Sequence, residues 1–410
     1  MKHSCYSFRR KLLANSIAMA VSLAIPVIAS AESSNADLQV QLDALQNQVT
    51  ALNTEVQQAA EWKNPNTLVH MAGYADVGYV KKEGEDGSFV VGTFSPIFHY
   101  QYRDVVMMGA ELEIEVGEDG ETEVALEYMT IDWFMSDYAV LVAGKFLSPV
   151  GQFRQNLHPS WINKLATAPP GFGHDGAAPV SDIGFQVRSG FPLGGMRANY
   201  AVYVANGPEI NAEAEDDGAG GFEYELDGVA AEGFNTDVDG EKTYGGRIGI
   251  LPIASVEIGL SFVTGMATVT NIEADSEPPA GSITGETPRD YDVIGADFVW
   301  FTGNMSLRGE YVKTEVGEAT TGVTASEAAE WTTWYTQIAY RLPNTKWEGV
   351  LRYTDYDSPH ASVDQKQTAI GVNYLIANNF IAKLTHELND GLDGADSDLD
   401  LTVLQLAYGF

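Results

Sequence analysis

The chain has 410 residues, with 57 Asp and Glu against 23 Lys and Arg, a formal net charge of −34 at pH 7. Such acidity without a basic stripe excludes a nucleic-acid-binding surface and disfavours docking on anionic lipid. With 45% hydrophobic and 10% aromatic residues, the chain is also no disordered acidic polymer.

Lys2, Arg9, Arg10 and Lys11 precede an apolar run from Leu12 to Ile28 that ends in Ala29-Ser30-Ala31. A basic start, a short apolar stretch and a small-x-small end describe a secretory signal peptide over residues 1–31 rather than a membrane-spanning helix. Cleavage before Glu32 would remove Cys5, the single cysteine, so the mature chain has no disulfide framework, thiolate metal site or cysteine nucleophile. Taking those four basic residues from a charge of −34 gives −38, with 19 Lys and Arg remaining. Beyond the signal, no stretch is apolar enough to cross a membrane as a helix.

From Asp37 to Ala60 the pattern becomes heptad. Leu38, Leu42, Leu45, Val49, Leu52, Val56 and Ala59 alternate by four and three residues, keeping one narrow seam for a partner helix. An amphipathic helix packed on its own domain would show a similar stripe. Glu61-Trp62-Lys63-Asn64-Pro65 reads as a linker, so residues 32–65 are expected to form a periplasmic coiled-coil helix and linker that support a homotrimer.

From Asn66 the period changes to two, and residues 66–410 read as one antiparallel up-and-down β-barrel. The expected strands are 67–80, 89–102, 105–116, 121–133, 138–146, 182–191, 196–205, 243–251, 254–266, 290–302, 304–314, 332–342, 346–356, 365–376, 379–388 and 399–410. That is about sixteen, an even number, as a closed bacterial barrel requires. Tight turns such as Arg103-Asp104, Pro252-Ile253 and Pro343-Asn344-Thr345 alternate with longer links, the sidedness of an outer-membrane barrel. Within the strands, Val256, Ile258, Leu260 and Phe262 alternate with Glu257, Gly259 and Ser261, and the apolar set is expected to face lipid. Trp133, Phe134, Trp300, Phe301, Trp334, Tyr340, Trp347 and Phe380 lie beside turns, as interfacial girdles do.

A lumen inside about sixteen strands is wide enough for water. The link 146–181 is the expected constriction: it is stiffened by Pro149, Pro159, Pro169, Pro170 and Pro179, although a lid outside the mouth would use the same stiffness; its place after the fifth strand resembles that of the loop that folds into the channel of trimeric porins. Lys145, Arg154 and Lys164 make it basic, and Arg188, Arg197, Arg247, Arg308 and Arg352 add inward cations from the strands. Glu111, Glu113, Glu115, Glu123 and Glu127 share one face of the third and fourth strands. Two outcomes are open: opposed charges set a transverse field that admits anions, or each ion pairs with a neighbour.

The link 207–241 has twelve carboxylates and no Lys or Arg, which reads as a solvated acidic loop or a lipopolysaccharide contact bridged by divalent cations. Asp237-Val238-Asp239-Gly240 looks like a calcium-loop fragment but lacks the downstream bidentate Glu. No cofactor and no metal site is expected.

The last strand places Leu404, Leu406, Tyr408 and Phe410 on one side and Val403, Gln405, Ala407 and Gly409 on the other. This ending resembles the closing strand of outer-membrane β-barrels. In that family, a terminal Phe with apolar residues at alternate preceding positions is the signal read by the barrel-assembly machinery. A signal peptide, a short coiled coil, about sixteen strands and the fifth-strand ending Ala143-Gly144-Lys145-Phe146-Leu147-Ser148-Pro149-Val150-Gly151 are similar to the phosphate-selective porin O and P family. That resemblance implies a trimeric outer-membrane channel for ions and small hydrophilic solutes, set among lipid and lipopolysaccharide. Phosphate-selective members line the channel densely with Arg and Lys, a pattern from which this chain departs. The competing classes are an adhesin or envelope tether and an outer-membrane hydrolase. Scattered histidines with no readable Ser, His and acid grouping speak against catalysis.

Overall fold

In the computed structural model, residues 67–410 are described, except 118, 175, 217–220, 275–285, 323 and 325. The expected signal peptide 1–31 and the helix and linker 32–65 lie outside the described residues.

Seven strands come first: β1 (Thr67–Lys82), β2 (Ser88–Tyr102), β3 (Val106–Val116), β4 (Thr122–Ser136), β5 (Ala139–Leu147), β6 (Ser181–Leu193) and β7 (Met196–Ala205). Then β8 (Glu209–Asp216) and β9 (Phe222–Ala230) form a hairpin. The wall resumes with β10 (Thr243–Ile253), β11 (Val256–Ala274), β12 (Arg289–Thr302), β13 (Met305–Val316) and β14 (Ala329–Arg341). It finishes with β15 (Trp347–Asp357), β16 (Gln365–Ala377), β17 (Phe380–Gly391) and β18 (Leu401–Gly409).

Successive wall strands pair antiparallel, β7 bypasses the hairpin to reach β10, and β18 pairs with β1 from Tyr74↔Gly409 to Lys82↔Leu401. Among the described residues the wall is therefore a closed sixteen-strand barrel. Closure leaves no row of unpaired backbone groups, which a hydrocarbon environment would penalise by several kcal/mol each.

Alternation decides which side each residue takes. On β18, Leu404, Leu406 and Tyr408 are 50%, 41% and 39% exposed on the outside, while Gln405 and Ala407 are buried inside. On β11 the outward row is Ile258, Leu260 and Phe262, and on β16 it is Ile370, Val372, Tyr374 and Ile376. Each such side chain kept out of water contributes about 1.5–3 kcal/mol. Short turns join the strands at one end; Asn344 and Gly303 take positive φ there (58° and 57°), the conformation that Gly and Asn tolerate best.

Two segments depart from expectation. The acidic link 207–241 is not simply a solvated loop, because its carboxylates alternate with small or apolar residues. Ile210 and Ala212 are fully buried and pack with Leu226 and Val229, so the segment folds as β8 and β9 despite its charge. For the same reason β11 runs past the expected end at 266 to Ala274. Its extension lies parallel to β8, with Thr268 opposite Glu209. The calcium-loop fragment is a turn: Asp237 and Asp239 accept the backbone N–H groups of Gly240 and Glu241 at 2.7 and 2.9 Å, and Asp237 also binds Lys242.

Candidate constriction and lumen

The fifth strand has nine residues where β4 has fifteen, so it stops partway along the wall. The chain then leaves the wall from inside the barrel. Five prolines in the connection 148–180 remove backbone donors and prevent it from adding a strand. Its remaining polar backbone groups must find partners elsewhere.

They find them on the inner wall of the far half of the barrel. Gly151 N–H donates to Ser261 Oγ at 3.2 Å, and the N–H groups of Gln152 and Phe153 donate to Glu310 Oε2 at 2.9 and 3.2 Å. Gln152 Nε2 reaches Asp297 at 2.8 Å. Further on, Thr333 and Thr314 donate to the carbonyls of Pro170 and Ala177 at 2.8 and 2.6 Å. Apolar contacts complete the anchoring. Phe172 packs edge-on to Tyr335, with ring centroids 5.2 Å apart, and lies against Phe153. Leu165 is fully buried among Ala339, Val350 and Ala369. Two glycines make room: a Cβ at Gly171 (φ +78°) would lie 2.6 Å from Thr333, and one at Gly409 would lie 2.7 Å from the Trp161 ring.

The predicted cations separate into groups. Lys164 forms an ion pair with Glu348 at 2.9 Å. Arg352 is buried and donates to the carbonyls of Thr167 and Ala168 at 3.1 and 3.0 Å, with Glu387 at 3.9 Å. Arg247 binds Asp297 at 2.6 Å and Glu257 at 3.0 Å. Arg308 is half-buried on β13, and Arg197 is exposed beside the turn before β7. Arg188 faces the open side of the lumen and holds Asp132 at 2.9 Å. Lys145 pairs with Met129 and Ile183 beside inward-facing Phe146, and its charge reaches Glu232.

The acidic set does share the inner face of β3 and β4, with Glu115 opposite Glu123 and Glu111 opposite Tyr128. A bulge between Glu111 and Leu112 adds Glu127 to that face, where it is buried. Arg154, from the connection, lies on this same side. It is 7% exposed and its Nε makes no hydrogen bond. Burial pushes its guanidinium below the ordinary arginine range, and Glu127, Glu113 and Glu232 oppose that shift. His158 adds a contact with Glu111 at 3.6 Å. Cations and carboxylates are thus interleaved, and the sharply opposed charges of a transverse field are not what the geometry builds.

Sequence reasoning overlooked the residues that hold the connection: Glu310, Glu348, Glu387 and Lys383. Lys383 is 1% exposed and donates to the carbonyls of Leu165, at 3.1 Å, and Ser160. Their inward position was legible from alternation, because Ala382, Leu384 and His386 occupy the outward row of β17. Their partner was not.

At the tip, His174 binds Glu232 of the segment that follows the hairpin. That hydrogen bond raises the imidazole above its ordinary range and lowers the carboxylate. The His174 contribution is complete below its unfolded value near 6.5 and is lost as pH rises through the raised value. The Glu232 contribution is present above 4.5 and is lost as pH falls through the lowered value. The tip is therefore held best between 4.5 and 6.5, modestly because both groups are partly exposed. Open-channel noise recorded from about pH 5 to 8 should step up at the alkaline side in the wild type and stay flat in His174→Gln; matching profiles would show that this contact does not steady the tip.

What space remains lies between the connection and the wall. One cavity of about 490 Å³ is bordered by Asp132, Gln155, Asn156, Arg188 and Arg247. A second of about 320 Å³ shares Asp132, Gln155, Asn156 and Arg188 and extends to Glu111 and His158. On the side of the long connections, a cavity of about 550 Å³ is lined by residues 168–171, Tyr356, Gln367 and Asp227.

Solved structures share this architecture at low identity. An anion-selective porin from Comamonas acidovorans aligns with a TM-score of 0.55 at 14% identity, over 84% of this chain and 100% of that one. A loop L8 deletion mutant of OmpT, an outer membrane protein of Vibrio cholerae, gives 0.51 at 10%, covering 84% and 100%. OmpF of Salmonella typhi, in complex with daunomycin, gives 0.50 at 12%, covering 85% and 99%. No curated protein matches by sequence. Residues 107–393 match the family described as phosphate-selective porin O and P, a span from β3 into the connection before β18 that includes the whole lumen segment. With a closed barrel, an internal constriction and that match over most of its length, this chain belongs to the phosphate-selective porin O and P family, whose members are outer-membrane diffusion channels.

Proposed function

We propose that this porin passes ions and small hydrophilic solutes along the β2–β7 side of the lumen, and that anions cross beside Arg188, with the buried charge of Arg154 adding to the field there. The observation that carries the reading is that two adjoining cavities between the connection 148–180 and the wall share Asp132 and Arg188, so that a strand-borne cation borders both. The Comamonas porin is named as anion-selective, and the family name specifies phosphate. Glu113, Glu115, Glu123 and Glu127 on the same wall favour a second reading, in which cations are preferred.

Planar-bilayer recording decides between them. Purified protein should conduct, and a KCl gradient should give an anion-directed reversal potential that shifts toward cations in Arg154→Ala. Lack of conductance would sink the channel reading. A cation preference indifferent to Arg154→Ala would sink anion passage and leave the second reading standing.

The reading extends to assembly. Residues 1–31 act as a cleaved signal peptide for export through the periplasm, and 32–65 form a coiled-coil helix that supports a homotrimer. Vibrio cholerae OmpT is described in a trimer form. Leu404, Leu406, Tyr408 and Phe410 form the outward row of the closing strand, which suits recognition by the barrel-assembly machinery and later contact with lipid and lipopolysaccharide.

A further inference from the structure

The β8–β9 hairpin contains an arrangement that is costly as it stands. Glu213 and Glu225 are direct cross-strand partners, and like charges so placed repel. The strand register shifts between Asn211 and Ala212, so that Asn211 faces Gly228 and Ala212 faces Leu226. Asp227 is left as the extra residue, and this bulge brings a third carboxylate to the same place. Into the cluster comes a residue from a different part of the chain: His360, in the connection between β15 and β16, has its Nε2 3.2 Å from Glu213 Oε2.

The donor atoms of Glu213, Asp227 and His360 lie within 4.8 Å of one another. Ligands bound about 2.0–2.2 Å from a tetrahedral cation stand roughly 3.4 Å apart, so the Glu213–His360 edge already has the right length and small side-chain rotations close the others. The second imidazole nitrogen is also placed for this role. Nδ1 of His360 is buried, makes no hydrogen bond and faces Glu225 Oε2 at 3.9 Å. A cation on Nε2 would fix the proton on Nδ1 and aim it at Glu225, the carboxylate–histidine–metal relay that orients metal-bound imidazoles.

We propose that Glu213, Asp227 and His360, with Glu225 behind the imidazole, bind a divalent transition cation of the Zn²⁺ class at the channel mouth. The donor set selects the class. Imidazole nitrogen suits Zn²⁺ and its neighbours, whereas Ca²⁺ and Mg²⁺ take oxygen ligands and gain little from it. Three protein ligands leave a coordination position open toward the cavity that Asp227 borders. The ion would relieve the carboxylate repulsion and tie the hairpin to the β15–β16 connection. The strongly negative chain would help to concentrate cations near the site.

The test titrates ZnCl₂ calorimetrically into the full-length protein, purified in detergent and stripped with a chelator. One equivalent should bind far more tightly than Ca²⁺ or Mg²⁺, and His360→Ala and Glu213→Gln should each weaken it by about tenfold or more. His386→Ala, an exposed histidine on the outside of β17, should leave affinity unchanged. Zn²⁺ should also slow proteolysis within residues 209–230 of the unsubstituted protein, a readout that needs no variant to fold. Zn²⁺ bound no better than Ca²⁺, wild-type affinity in a folded His360→Ala protein, or proteolysis indifferent to Zn²⁺ would each overturn the site.

Discussion

Replacing residues 150–178 with a two- or three-residue Gly-Ser linker should raise single-channel conductance several-fold. The geometry permits the excision, because Ser148 N–H donates to Val180 O at 2.9 Å and the cut ends already lie side by side. Every wall pairing survives, including β5 with β6 from Val140↔Arg188 to Leu147↔Ser181. What is lost is the occupant of the far half of the lumen, where Phe153, Leu165 and Phe172 are buried. A sixteen-strand barrel without such an occupant encloses an aqueous channel. Bilayer recordings check the result, with heat-modifiable gel mobility as the control for an intact barrel. Unchanged conductance in a folded variant would mean that this connection does not limit the path. The excision also strips the cover from inward-facing Trp331 and Tyr335, which argues for some loss of thermal stability alongside the gain in current.

A single substitution should reproduce part of that effect. Glu310 is 5% exposed, accepts the N–H groups of Gln152 and Phe153 on one oxygen, and accepts the Tyr335 hydroxyl on the other at 2.6 Å. Glu310→Ala leaves three polar groups without that acceptor, at about 1–3 kcal/mol for each one that stays buried and unpaired. Their simplest escape is for the start of the connection to swing from the wall and meet water. We expect Glu310→Ala to lower the thermal midpoint of the barrel and to convert a steady open level into frequent transitions toward larger conductance. Glu310→Gln keeps one carbonyl acceptor and should lie between. A quiet Glu310→Ala channel of ordinary conductance would show that the other anchors, Lys383, Arg352 and Thr333, suffice without it.

These two expectations rest on contacts of a different kind from those that build the wall. The wall was legible in the sequence, since each of its sixteen strands was anticipated to within a few residues except for the extension of β11. Period-two alternation and turn chemistry are local properties, carried by neighbours such as Leu404 and Leu406 or by Asn344 at a positive φ. A closed, lipid-facing sheet enforces them with little freedom to deviate, because one misplaced residue would turn a charged row toward hydrocarbon.

The lumen was legible only in outline. Alternation placed Arg247, Arg352 and the β3–β4 glutamates inside, but whether a charge inside faces water or a partner depends on residues far away in the chain. Gln152 and Glu310 are separated by 158 positions, and Thr167 and Glu387 by 220. No local pattern records such a meeting. One expectation fails for the same reason: the acidity of 207–241 conceals the alternation of Ile210 and Ala212, whose burial depends on Leu226 and Val229 being brought opposite.

By itself, then, the sequence determined a barrel of this size, the outward faces of its strands, its alternating turns and a stiff connection after the fifth strand, because backbone pairing and lipid exposure act on each strand through its own residues. Only the tertiary structure decided that the connection lies inside, that Lys164, Arg247 and Arg352 are held in pairs, and that His360 meets Glu213 and Asp227. Those outcomes follow from desolvation and hydrogen-bond satisfaction between segments that only closure of the barrel brings within reach.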